Sequence, residues 1–134
     1  MINIILSYPC GLSYVRNTRN KAAHNSVILN SITNKSGIIL DITRANSLAS
    51  ELVIKAKVSR TVRRKKLSIS TIHDITTTLA IYDTFIESET MKERRYKELL
   101  KRAQREKELY AQNDEIISVY RYFNQITNYL IETL

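Results

Sequence analysis

SGIILDITRANSLASELVIKAKVSRTVRRKKLSISTIHD, residues 36–74, is the stretch on which the fold turns. Ile38, Ile42, Ala45, Ala49, Leu52 and Ala56 recur at spacings of four and three, which keeps them on one face of a helix. Ile39, Leu48 and Val53 widen that face beyond what one neighbouring helix covers. The spacing predicts one long helix capped by Ser36. The rival reading makes Ile38-Ile39-Leu40 extended, with Thr43 capping a helix from Arg44, but Ile38 and Ile42 lie in phase with the later stripe. At the far end, Arg60, Arg63, Arg64, Lys65 and Lys66 place five cations in seven positions. Cations suit a helix C-terminus, but this density exceeds what a terminus requires. Leu67-Ser68-Ile69-Ser70 alternates and suits a very short strand. Thr71-Ile72-His73-Asp74 then has the spacing of a capping box.

The totals agree with a single basic domain. The chain has 134 residues, a net charge of +8 and a pI near 9.7, a balance that favours polyanionic partners. Cys10 is the sole cysteine, so neither a disulfide framework nor a cysteine metal cluster is expected. No run approaches the ~20 apolar residues of a membrane span, and Met1–Leu6 lacks the basic flank of a signal peptide. The acid-free first 24 residues, with Arg16, Arg19 and Lys21, would also suit an organelle transit peptide. Glycine and proline stop at Gly37, which argues for long helices throughout the remainder and an all-α class.

In chain order, residues 1–16 read as an irregular arm containing Pro9 and Gly11. A short amphipathic helix begins near Asn17 or Thr18 and uses Ala22, Ala23, Val27 and Ile28. Thr33–Gly37 is turn-like. Thr71 to about Glu87 forms a third helix, with Ile72, Ile75, Leu79, Tyr82 and Ile86 in phase. The run Thr76-Thr77-Thr78 lowers its intrinsic propensity, so packing must hold it. Met91–Leu109 is dense in charge, and pairs such as Glu93–Lys97 and Glu98–Arg102 suit a solvated helix. Asn113-Asp114 marks a break. Ile116, Tyr120, Phe123, Ile126 or Thr127, Leu130 and Leu134 then form a strong apolar stripe, on which the aromatics belong to the core rather than to base stacking.

Short, long and short helices joined by brief loops resemble the histone fold. Ser36-Gly37-Ile38-Ile39-Leu40-Asp41-Ile42-Thr43-Arg44 is similar to the opening of the central helix in the fourth core histone. Without a gap, Thr71-Ile72-His73-Asp74-Ile75 falls on that family's Thr-x-x-Asp-Val start of the third helix. The resemblance covers residues 17–87 and implies a histone-fold domain, followed by a C-terminal helical extension over 88–134. It departs at Asn34 and Lys35, where the family has arginine and a buried isoleucine, and in lacking a glycine-rich ending. It implies a heterodimer with another histone-fold chain, through Ile38, Ile42, Ala45, Ala49, Leu52, Val53 and Ala56. It also implies DNA backbone contacts from Arg60, Arg63, Arg64, Lys65 and Lys66, hydroxyls from Ser68 and Ser70, and Lys35 in the other loop. A nuclear chromatin, centromere or transcription complex follows from that family, with a virion or organelle as the alternative. The C-terminal helices would dock on a further subunit or back onto the fold.

Two other classes compete. A ribosomal or other RNA-binding protein suits the basicity, since Arg16 through Lys57 faintly resembles a bacterial-type large-subunit ribosomal protein. A protein-only adaptor would use its charge for solubility alone. His24 and His73 lack metal-ligand spacing, Cys10 has no nearby base, and no phosphate loop or paired-carboxylate site is visible. Neither an enzyme nor a cofactor is expected.

Overall fold

The computed structural model describes residues 13–20, 46–109 and 111–134. Those residues form an all-helical structure: α1 over 13–20, α2 Ser47–Lys55, α3 Arg60–Leu67, α4 Ser70–Phe85, α5 Glu89–Leu109 and α6 Asp114–Glu132. Helix α2 packs against α4 and α6, α3 lies on α4, and α5 runs along α6.

The continuous helix expected from Ser36 into the basic cluster does not form. Residues 36–45 lie outside the described residues, but Asn46, at ψ 136, has left helical geometry. Its Oδ1 caps α2 by accepting the Leu48 N–H at 2.9 Å. Its own N–H donates to His73 Nε2 on α4 at 2.9 Å instead of continuing a helical ladder. Because Nε2 accepts there, the His73 proton is on Nδ1, which faces Asp74 Oδ1 at 3.2 Å. Asp74 therefore bonds to its neighbour and does not close a capping box. The helix begins one residue earlier than Thr71, at Ser70, with Ile69 at the N-cap and no side-chain cap.

The long helix also breaks at its other end. The Lys57 N–H donates to Ile54 O at 3.0 Å and the Val58 N–H to Val53 O at 3.1 Å. Lys57 has a φ of 59°. These two bonds and the left-handed residue constitute a Schellman motif, completed by apolar contact between buried Val53 and Val58. Glycine is the usual occupant of that left-handed position, so the absence of glycine after Gly37 concealed the corner. Ser59 then caps a new helix, α3, by accepting the Val62 N–H at 3.4 Å. Between α3 and α4 the expected four-residue strand shrinks to a single β-bridge residue: Ser68 is still helical in geometry, and only Ile69 is extended.

Residues 13–16, expected in an irregular arm, are helical. Tyr14 meets the His73 ring edge-on at 4.7 Å and Val15 packs against the core, so tertiary contacts extend α1 ahead of Asn17. Helix α4 tolerates its threonines because their hydroxyls are satisfied internally. Thr76, Thr77 and Thr78 donate to the carbonyls of Ile72, His73 and Asp74 at 2.7, 2.9 and 2.8 Å.

The core is one cluster. It joins Ala49, Leu52 and Val53 of α2, Ile72 and Ala80 of α4, Tyr96 of α5, and Val119, Tyr122, Ile126 and Leu130 of α6. Three polar ties register the helices: Thr76 Oγ1 with the Tyr122 hydroxyl at 2.9 Å, Tyr96 to Asp83 at 2.8 Å, and Gln125 Nε2 to Ala56 O at 3.0 Å. Burial raises the pKa of the Tyr122 phenol, with the Thr76 bond opposing the shift. Helix α6 is capped by Asn113, which accepts the Ile116 N–H at 3.2 Å, and its first turn carries Asp114 and Glu115, as its dipole favours.

Candidate nucleic-acid interface

Helix α3 exists because Ser59 caps it, arginine and lysine are good helix formers, and Leu67 anchors it in the core. The cations of its last turn, Arg64, Lys65 and Lys66, also oppose the negative end of its dipole. At 100° per residue the five cations cannot share one face. Arg60, Arg64 and Lys65 are exposed together with Thr61 and Val62, while Arg63 is half-buried, its position on the helix falling between those of buried Lys66 and Leu67. The Arg63 guanidinium reaches back to the Val58 carbonyl at 3.5 Å, which places it over the corner. None of Arg60, Arg63, Arg64 and Lys65 forms an ion pair with another described residue.

Lys66 belongs elsewhere. It is 5 % exposed, and burial first, then neighbouring Lys65, lowers its pKa, with Glu115 of α6 acting in the opposite direction. An amine held inside the protein is a poor phosphate ligand. Ser68 is likewise committed, because its hydroxyl donates to Lys65 O at 2.7 Å. Ser70 is half-buried in the first turn of α4. Lys35 lies outside the described residues. The structure thus brings Arg60, Arg64 and Lys65 together with Arg63 beside them, and turns Lys66 and Ser68 away.

The residues expected at a dimer interface have a different position. Ile38, Ile42 and Ala45 lie outside the described residues. Ala49, Leu52, Val53 and Ala56 are buried in the chain's own core. The face too apolar for one neighbour is covered by two, α4 and α6. As an interface these four residues are corrected: helix α6 occupies the place assigned to a partner.

A second polar surface adjoins α3. Gln125 ties α6 to the corner at Ala56, and Arg121, one turn earlier, lines a cleft with Lys57, Asn124 and Asn128. The only sequence signal was the recurrence of polar positions 121, 124, 125 and 128 along one helix face. Their approach to Lys57, more than sixty residues away in the chain, is a product of tertiary structure.

Helix α5 contrasts with α3. Its expected pairs Glu93–Lys97 and Glu98–Arg102 form at 2.6 and 2.8 Å, and Arg95 also reaches Glu98 at 3.3 Å. No described helix is long and apolar enough to cross a membrane. No protein family, curated protein or solved structure matches the chain.

Proposed function

We propose that this protein binds the phosphate backbone of nucleic acid through α3, without reading base sequence. The observation that supports this reading is the exposed face of Arg60, Arg64 and Lys65, flanked by Arg63, whose charges have no acidic partner among the described residues. Unneutralised cations fixed on a helix displace condensed counterions from a polyanion, and that release makes binding favourable and salt-dependent. Planar guanidiniums suit phosphate oxygens in paired contacts, while Lys65 contributes a point charge. The net charge of +8 steers the encounter.

The histone resemblance supports this reading only in its backbone-contact half. A handshake partner would have to lie across α2, and the buried side chains there are already covered within the chain. In this reading the protein reaches nucleic acid without a sister histone-fold chain.

The test is anisotropy of labelled duplex DNA and duplex RNA across a salt series. With three to four phosphates neutralised, the log–log slope on duplex DNA is expected to be about −3. Arg60→Ala/Arg64→Ala/Lys65→Ala is expected to remove most of that slope and weaken binding by roughly a hundredfold at low salt. Preference for duplex DNA would favour a chromatin setting, and preference for RNA a ribonucleoprotein one. No binding at low salt, or a slope the triple variant leaves unchanged, overturns the proposal.

A further inference from the structure

We infer that the cleft between the C-terminal end of α2, at Lys55–Lys57, and α6 holds an unpaired nucleotide, making single-stranded nucleic acid the substrate class. The inference rests on the backbone-binding reading of α3 and adds to it a place for a base. The cleft has a volume of about 720 Å³ and is lined by Lys57, Arg121, Asn124, Gln125, Asn128 and Tyr129. That size falls within the roughly 300–1,000 Å³ of small-molecule sites.

The chemistry of this lining matches a nucleotide. Side-chain amides carry both donors and acceptors, as base edges do. The amides of Asn124 and Asn128 are engaged by no other described residue. Gln125 uses one amide N–H on Ala56 O and keeps its carbonyl oxygen as an acceptor. Half-buried Tyr129 offers an aromatic surface, which suits any base. Charge orders the occupant along α6. Arg121 lies at one end and Glu132 at the other, about 16 Å apart at the helical rise of 1.5 Å per residue. Lys55 also lines the cleft but is paired with Glu51 at 2.7 Å, so Arg121 and Lys57, unpaired among the described residues, place the phosphate, with the base over Asn124 and Asn128.

Two further observations connect cleft and helix. Helix α6 is tied to the corner just ahead of α3, since Gln125 bonds to Ala56. Lys57 at the cleft lies three residues before Arg60, the first cation of α3, so the two sites adjoin in the chain. Lys57 also holds a left-handed backbone, at φ 59°, where glycine would cost less. The lysine at that position puts a cation at the cleft mouth. A duplex keeps its bases stacked and paired out of reach of such a concavity; a single strand can turn one in.

The experiment compares labelled ten-nucleotide single strands, RNA and DNA of one sequence, with the matching duplexes. The wild-type chain is expected to bind a single strand roughly tenfold more tightly than its duplex, the size of one stacked base. Asn124→Ala/Asn128→Ala is expected to abolish that preference while leaving duplex affinity unchanged. Exposed Arg121→Glu, which carries no risk to the core, should weaken single-strand binding at least as much. Lys57→Gly is expected to raise Tm yet lower single-strand affinity, a divergence that a purely structural role would not produce. Equal affinity for both forms, or a preference surviving the amide substitutions, overturns the inference. If the α3 triple alanine variant changes nothing while the amide substitutions abolish the preference, the backbone reading fails and the cleft stands. Tighter binding of the RNA strand than of the DNA strand assigns contacts to the 2′-hydroxyl.

Discussion

Helices α3 and α5 are both rich in arginine and lysine, and they present that charge in opposite ways. Over Glu89–Leu109, α5 carries eight cations among five acids, and Lys97, Arg95 and Arg102 are paired with Glu93 and Glu98. Over Arg60–Leu67, α3 carries five cations and no acid. The first arrangement offsets most of its charge along its own length and solvates a helix; the second leaves its field directed outward. Net charge therefore says less about a polyanion site than the absence of nearby carboxylates does.

That contrast can be broken by giving α3 what α5 has. Thr61→Glu would place a carboxylate three and four residues before Arg64 and Lys65, on the exposed face. Nucleic-acid affinity is expected to fall about tenfold, with a salt slope shallower by 1 to 2, as those cations become paired. Stability should rise by about 0.3–0.5 kcal/mol, because the new pairs and the helix N-terminus both favour an acid there. Anisotropy and urea denaturation read the two effects separately.

Lys66 sharpens the comparison from within α3. Lys66→Met is expected to leave nucleic-acid affinity unchanged and to stabilise the fold by about 1 kcal/mol, by relieving a buried charge. The sign with pH follows from its lowered pKa. Below the folded value the lysine is charged in both states and its burial penalty is fully present. As pH rises from the folded value towards the unfolded one near 10.5, the native state releases its proton first and stability increases. The wild-type chain should show that gain in denaturation as pH rises towards 10.5, and Lys66→Met should lose it.

The smallest effect is expected in α5. Glu98→Gln removes the shared partner of Arg95 and Arg102. The expected cost is about 0.5 kcal/mol of stability. Duplex affinity should rise by no more than about twofold, since freed charges on a distant helix act only through screened long-range attraction. A large gain in affinity would show that α5 is also an interface.

Much of this could be read from residue order. Helices α4, α5 and α6 follow from their apolar phase, from i,i+4 pairs and from the break at Asn113-Asp114. The cations of α3 were visible as a run. What escaped depended on partners far along the chain. Asn46 leaves the helix because His73 takes its N–H, and Ala49 and Val53 are covered because α6 returns to them. The corner at Lys57 escaped for a local reason, since its left-handed position holds a lysine. Arg121 and its amide neighbours joined the site only through the bond from Gln125 to Ala56.

Helix α6 has a consequence for how the molecule is made. Val119, Tyr122, Ile126 and Leu130 close a core whose other walls are synthesised earlier, from Leu48 of α2 to Tyr96 of α5. A nascent chain halted at the Asn113 cap would leave Leu52, Val53 and Ile72 without the α6 side of that core. Folding is completed only once α6 has been made and has docked, and until then the half-built chain exposes apolar surface open to aggregation.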